Sequence, residues 1–197
     1  MVVIIPHNTA NLGSVLFALQ RLDADSMIST DINTIRKASK VIIPGVGAAI
    51  PAMKTYQYLQ LTDAIATLTQ PVLGICLGMQ LLYERSTEDG DTPCLNIFPG
   101  TIAAMTAQPG IRIPHMGWNN LKIEKPSCPL LNGIEDQDYA YFVHSYYAPI
   151  NQYTVATTKH GVNFSALVQK NNFFGCQFHP ERSGFVGSQI LENFLNL

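Results

Sequence analysis

Gly74-Ile75-Cys76-Leu77-Gly78 sets a thiol between two glycines, after an apolar run and ahead of a helical pattern. That is the strand–turn–helix context a nucleophile elbow requires. Small neighbours permit the sharp turn that lifts the central side chain above a sheet, and the positive end of the helix dipole favours a thiolate at Cys76. Alone, the segment also suits a buried core cysteine, since free Cys is among the most buried residue types. Phe178-His179-Pro180-Glu181 supplies the missing partners. A residue before proline is pushed to extended geometry, and extended residues two apart project to one side. Glu181 can therefore hold one nitrogen of His179 while the other faces Cys76, a base and its orienter as in triad chemistry. A surface His-Pro-Glu turn would read the same by itself. The two segments together point to triad chemistry with Cys in place of Ser as the nucleophile.

Such chemistry also needs donors for a developing oxyanion. Pro44-Gly45-Val46-Gly47 follows a strand-like run, and its glycines let backbone N–H groups turn toward a reacting oxygen. N–H groups near Gly47, with that of Leu77 just after the nucleophile, would form the oxyanion hole. A phosphate loop fits badly, because Ile50 stands where GxGxxG wants glycine and no Gly-Lys-Ser/Thr follows.

These segments must be carried by a sheet. Val2–Ile5, Ser26–Ser29, Lys40–Ile43 and Val72–Ile75 read as strands alternating with helical stretches, namely Leu12–Leu22 with Asn11 as N-cap, about Ala48 to Thr69 in two pieces, and Leu77–Glu84. Thr101–Thr106, Leu121–Glu124, Tyr139–Val143, Tyr153–Thr158, Phe164–Gln169 and Phe173–Phe178 read as strands separated by turns, which extend the sheet as antiparallel hairpins. A helix over Gly187–Asn196 closes the chain. The expected architecture is three-layer α/β, a mixed and mostly parallel sheet with an antiparallel extension, in a single domain over 1–197.

Composition narrows the function classes. Only 13% of the 197 residues are charged and the net charge is −2, against roughly 25% charged in an average domain. Nothing here attracts nucleic acid or an anionic membrane, and the low charge suits a surface covered by another protein. The four cysteines form no CxxC pair, so neither a metal site nor a disulfide framework is expected, and no cofactor is implied. No signal peptide is legible at the start; a cytoplasmic protein with reduced thiols is expected. His7 and His160 read as surface residues, His115 and His144 lack metal-site spacing, and Cys94, Cys128 and Cys176 read as structural thiols.

Gly74-Ile75-Cys76-Leu77-Gly78-Met79-Gln80 with His179-Pro180-Glu181 resembles the signature of the class I glutamine amidotransferases. Asn11-Leu12-Gly13-Ser14-Val15, Pro44-Gly45-Val46-Gly47, Pro114-His115-Met116-Gly117-Trp118-Asn119 and Tyr141-Phe142-Val143-His144-Ser145-Tyr146 resemble, more narrowly, the glutaminase subunits of imidazole glycerol phosphate synthase. The likeness runs along essentially the whole chain. It implies that Cys76 attacks the side-chain amide of L-glutamine, that His179 and Glu181 serve it, and that Gln80 and the Ser145-Tyr146 backbone hold the substrate, with Glu84 for its α-amino group. It also implies a (βα)8-barrel cyclase as partner, which takes the ammonia directly, with Asn11, Trp118, Tyr141 and Arg182 at that interface. Two departures stand out. Pro6-His7-Asn8-Thr9 replaces an Asp-Tyr-Gly-like stretch, and Arg182 stands where many members have Lys, which changes the geometry of any carboxylate pairing. The residues leave other readings open: a glutaminase serving another synthase, a catalytically silent module, or a cysteine peptidase or γ-glutamyl hydrolase.

Overall fold

A computed structural model describes residues 1–7 and 11–197; of the departing Pro6-His7-Asn8-Thr9 stretch, Asn8 and Thr9 lie outside the described residues. The first half alternates: β1 (Val2–Ile4), α1 (Leu12–Arg21), β2 (Ser26–Ile28), α2 (Ile32–Lys37), β3 (Lys40–Ile43), α3 (Ala49–Tyr58), α4 (Thr62–Ala66), β4 (Val72–Ile75) and α5 (Leu77–Leu81). Then come β5 (Tyr83–Ser86), β6 (Thr92–Pro93), β7 (Phe98–Ala104), β8 (His115–Asn120), β9 (Lys122–Ile123), β10 (Tyr139–His144) and β11 (Tyr146–Tyr147). The chain ends with β12 (Thr154–His160), β13 (Val162–Lys170), β14 (Phe173–Cys176) and α6 (Gly184–Leu195), with a 3-10 turn at Pro180–Arg182.

Eight strands form the central sheet in the order β2-β1-β3-β4-β14-β13-β12-β9. The run from β2 to β14 is parallel, and β13, β12 and β9 continue it antiparallel. Both faces are covered, as near-continuous apolar strands require. Val2 and Ile4 join one apolar cluster with Val15 and Leu19 of α1 and Ile190 and Phe194 of α6. Val3 and Ile5, pointing the other way, join a second cluster with Ile35 of α2, Met53 of α3, Ile65 of α4 and Leu81 of α5. The period of two along β1 thus distributes one strand between two layers.

The structure departs from the sequence reading in four places. The helix after Cys76 stops at Leu81 and the chain turns into β5, so Glu84 leaves helical register with Gln80. Two of the expected hairpin strands belong to smaller sheets: β10 forms a two-stranded sheet with β8, and β7 lies among β11, β5 and β6. Asn11 precedes α1 but makes no side-chain cap, giving its amide to Ser14 Oγ instead (3.0 Å). His7 is buried rather than exposed, its Nε2 2.9 Å from the carbonyl of Pro44, and His160 is half-buried beneath a stacked His115.

The end of β3 passes so close to the start of α5 that a Cβ on Gly78 would sit 1.9 Å from the carbonyl oxygen of Ile43. Backbone cannot yield there as a flexible side chain could. Gly13 is the contrast, on α1 with nothing nearer than 4.0 Å. Gly78→Ala is expected to lower the thermal midpoint sharply or abolish soluble expression. Gly13→Ala, which relieves the conformational freedom of a helical glycine, should stabilise by up to about 1 kcal/mol. Equal midpoints for the two variants would contradict the close approach.

Candidate active site

Cys76 sits between β4 and α5 with φ 51° and ψ −108°, a left-handed strain rare for a residue with a side chain. Its N–H donates to the carbonyl of Cys176 on β14 (2.7 Å), which ties the elbow to the strand that delivers the histidine. That strand continues as Gln177-Phe178-His179 into the turn at Pro180–Arg182. His179 N–H donates to the Tyr141 carbonyl (2.9 Å), and its Nδ1 lies 2.8 Å from Glu181 Oε1, both side chains being buried. With Nδ1 taken by the carboxylate, Nε2 is the nitrogen left for Cys76. Burial of the ring opposes its charging, but hydrogen bonds to Cys76 and Glu181 and their negative charge outweigh that and push His179 up to about 10.

Above the sulfur lies a cavity of about 280 Å³ lined by Val46, Gly47, Cys76, Leu77, Gln80, Glu88, Pro114 and Val143 through Tyr146, at the small end for small-molecule pockets. Gly47 and Leu77 both line it, Gly47 at a φ of 110°. Gln80 is buried, its Nε2 donating to the Tyr146 carbonyl and to Gln177 Oε1 (both 2.9 Å). Cys76, Gln80, Gly47, Leu77, Ser145 and Tyr146 therefore meet in one place, as the sequence reading expects.

Glu84 does not join them. From β5 its carboxylate accepts the N–H of Gly100 (2.9 Å) and lines a separate surface recess. The carboxylate that does reach the cavity is Glu88, which the sequence reading missed. Its Oε2 accepts the N–H of Ala49 at the start of α3 (2.7 Å), and partial burial raises its pKa against that bond. No helical spacing connects it to Cys76, because the β5 strand intervenes. Gln177 was missed too, although it stands two residues before His179 on the same extended segment and so faces the same side.

The chain matches the model of the glutamine amidotransferase class-I family over residues 7–197. It belongs to that family. Curated relatives described as imidazole glycerol phosphate synthase subunit HisH include one from Colwellia psychrerythraea, 49% identical with 99% of this chain and 92% of the relative covered. Another, from Haemophilus influenzae, is 48% identical over 98% of this chain and 96% of its own length. Solved structures share the fold at lower identity. A glutamine amidotransferase superposes with a TM-score of 0.75 at 16% identity over 100% of this chain and 98% of that one. PurLQS from Thermotoga maritima gives 0.70 at 18% over 99% and 97%. In this amidotransferase the expected three-layer mixed sheet is present.

Of the residues expected at an interface, Trp118 and Tyr141 lie beside one another. Trp118 of β8 stands opposite Tyr141 of β10, with ring centroids 5.8 Å apart. Trp118 is 55% exposed, and Met116, Tyr139 and Phe185 are exposed as well. A side chain at Gly184 would come 3.9 Å from the Trp118 ring, so the start of α6 adjoins it. Arg182 is exposed at the end of the catalytic turn, and Asn11 is exposed at the start of α1, which packs on that turn.

Beside the cavity, His144 and His115 are held without charge. His144 Nδ1 lies 2.7 Å from the Tyr146 carbonyl, an acceptor only, so that nitrogen carries the proton. Its Nε2 then accepts from His115 Nδ1 (3.0 Å), and His115 Nε2 accepts from the amide of Asn119 (3.2 Å). Burial and the neighbouring histidines drop His115 to about 3; burial, against the Tyr146 bond, drops His144 to about 4. A histidine depressed below its unfolded value of about 6.5 stabilises above that pH, and the effect is lost as pH falls through the folded value. His179, raised to about 10, behaves oppositely: its contribution is complete below about 6.5 and fades as pH rises toward 10. The urea midpoint is therefore expected to peak near pH 6.5, falling toward pH 4 and again toward pH 10. A midpoint flat between pH 6.5 and 4 would refute the neutral histidine chain.

Proposed function

We propose that this chain is the glutaminase subunit of an imidazole glycerol phosphate synthase, one amidotransferase unit over 1–197 that hydrolyses L-glutamine and passes the ammonia to a (βα)8-barrel cyclase in histidine biosynthesis. The observation that carries the reading is the strained Cys76 lining a small cavity, with a buried His179 that Glu181 orients and that the charge of Cys76 and Glu181 draws toward its protonated form. Its close relatives carry the name of that synthase's HisH subunit.

In this reading the proton of the Cys76–His179 pair sits on the imidazole, and the Cys76 thiolate attacks the side-chain amide carbon. The carbonyl electrons move onto oxygen, which N–H groups at Gly47 and Leu77 receive; one such donor is worth ~10²–10³ in rate. His179 returns the proton to the departing nitrogen, ammonia leaves, and a glutamyl thioester remains. The ring next takes a proton from water, and hydroxide displaces the sulfur as glutamate forms. Glu181 keeps the tautomer and stabilises the imidazolium. Gln80 and the Ser145-Tyr146 backbone hold the substrate, and Glu88, in place of Glu84, takes the α-ammonium. The exposed Trp118, Arg182 and Phe185, with the half-buried Tyr141 beside Trp118, support a docking face for the cyclase, aromatic and Arg anchors being enriched at interfaces. Four free cysteines support a reducing, cytoplasmic setting.

The test is glutamate release by the chain and by Cys76→Ala, each alone and with the barrel cyclase and its ribotide substrate. Turnover should require Cys76 and rise with the liganded cyclase. Cys76-dependent turnover indifferent to the cyclase would assign the chain to another synthase, and none under any condition would overturn the glutaminase reading. In the same assay Glu88→Gln should raise KM for glutamine by about tenfold, the loss of one charge-assisted hydrogen bond, while Glu84→Gln leaves KM unchanged. The reverse ranking would reject Glu88 as the ammonium partner.

A further inference from the structure

Three polar groups surround the Cys76 sulfur, and the mechanism above uses only His179. The Val143 carbonyl lies 3.6 Å from Sγ and can only accept, so it can bond the sulfur only while that is a thiol. Gln177, fully buried, places its Nε2 3.6 Å from the same sulfur.

Which end of the Gln177 amide faces the sulfur is decided by its neighbours, not by its own shape. Tyr146 offers a carbonyl, so the Gln80 group 2.9 Å from it is the NH₂. That same NH₂ lies 2.9 Å from Gln177, which must therefore present its oxygen. Flipping Gln177 would set two NH₂ groups against each other in a buried place. Its own NH₂ is thus turned to Cys76. The Tyr146 carbonyl also takes the Nδ1 proton of His144 (2.7 Å), so the whole chain of bonds is anchored on both sides.

We propose that Gln177 is a further catalytic residue, an N–H donor that holds and stabilises the Cys76 thiolate, with Gln80 as its positioning residue. This rests on Cys76 being the nucleophile. With the proton on His179, the Val143 carbonyl has no donor at the sulfur and faces negative charge. The Gln177 bond instead becomes charge-assisted and strengthens. The two contacts therefore pull in opposite directions, and Gln177 is the one that favours the reactive form. As the sulfur forms its bond to the amide carbon its charge drains away, and the donor lets go without any proton changing hands. Gln80 thereby links the substrate cavity to the nucleophile: it lines the first and orients the donor to the second.

Gln177→Glu separates this role from a merely structural one. Its carboxylate still accepts from Gln80 but has no N–H for the sulfur. Gln177→Met keeps the length and removes both bonds. The readout is the rate at which iodoacetamide alkylates Cys76 in the purified chain, followed at the Cys76 peptide by mass spectrometry across pH. It needs neither glutamine nor a partner. At pH 7 the rate should fall about tenfold in Gln177→Met, the usual scale of one hydrogen bond to a charged group, and further in Gln177→Glu. Both variants should regain the rate at higher pH. Alkylation within twofold of the parent chain at every pH, in whichever variant circular dichroism shows to be folded, would overturn the proposal. A lowered thermal midpoint with unchanged alkylation would assign Gln177 a structural role and overturn it equally. Cys76→Ala, assayed separately for glutamate release, tests the glutaminase reading itself, so the two can fail independently.

Discussion

The approach of the Pro44-Gly45 backbone to the elbow is the constraint on which the rest of the site depends. A Cβ on Gly45 would lie 2.4 Å from the backbone nitrogen of Gly78, and one on Gly78 would strike the Ile43 carbonyl. Two parallel strands, β3 and β4, pair side by side and release their chains at the same edge of the sheet. Their loops can share one small volume only if neither carries a side chain there. Removing the side chains lets the Gly47 segment and the first turn of α5 line one cavity together. It also forces the intervening Cys76 into a left-handed conformation that no regular element would tolerate.

A second level of order comes from groups whose hydrogen-bonding sense is not negotiable. The Tyr146 carbonyl receives both Gln80 and His144, and each donor is locked by a further partner. Carbonyls at Tyr146, Val143 and Lys159 act as fixed termini, and the direction of every side-chain amide and imidazole between them follows. The neutral state of His115 and His144 belongs to this pattern: protonating either would leave two donors facing one another.

Much of this was legible in the residues. The elbow at Cys76, the His179-Pro180-Glu181 turn and the two-sided burial of β1 follow from local rules about glycine, proline and periodicity, and those rules hold wherever the chain goes. What escaped reading was set by distant partners. Leu77–Glu84 has a helical pattern, yet the helix ends at Leu81 because Tyr83–Ser86 pairs with β6 and β7, and that turn exchanges Glu84 for Glu88 at the cavity. Thr101–Thr106 and Tyr139–Val143 are strands as expected, but no local signal says which sheet a strand joins. His7, a polar residue in a loop, is buried because Pro44 offers a carbonyl 37 residues further on. Asn11 has the composition of a cap and spends its amide on Ser14.

The second oxygen of Glu181 is buried and has no hydrogen-bond partner among the described residues. All of that carboxylate's directed bonding passes through Oε1 to one imidazole proton, in a pocket that solvent scarcely enters. A proton so placed exchanges slowly with bulk water and is strongly deshielded by the short charge-assisted bond. The enzyme therefore carries an intrinsic reporter at its centre. The magnetic environment of one hydrogen on His179 registers the charge on the sulfur, the seating of the ring and any shift of the turn that leads out to Arg182 and Phe185.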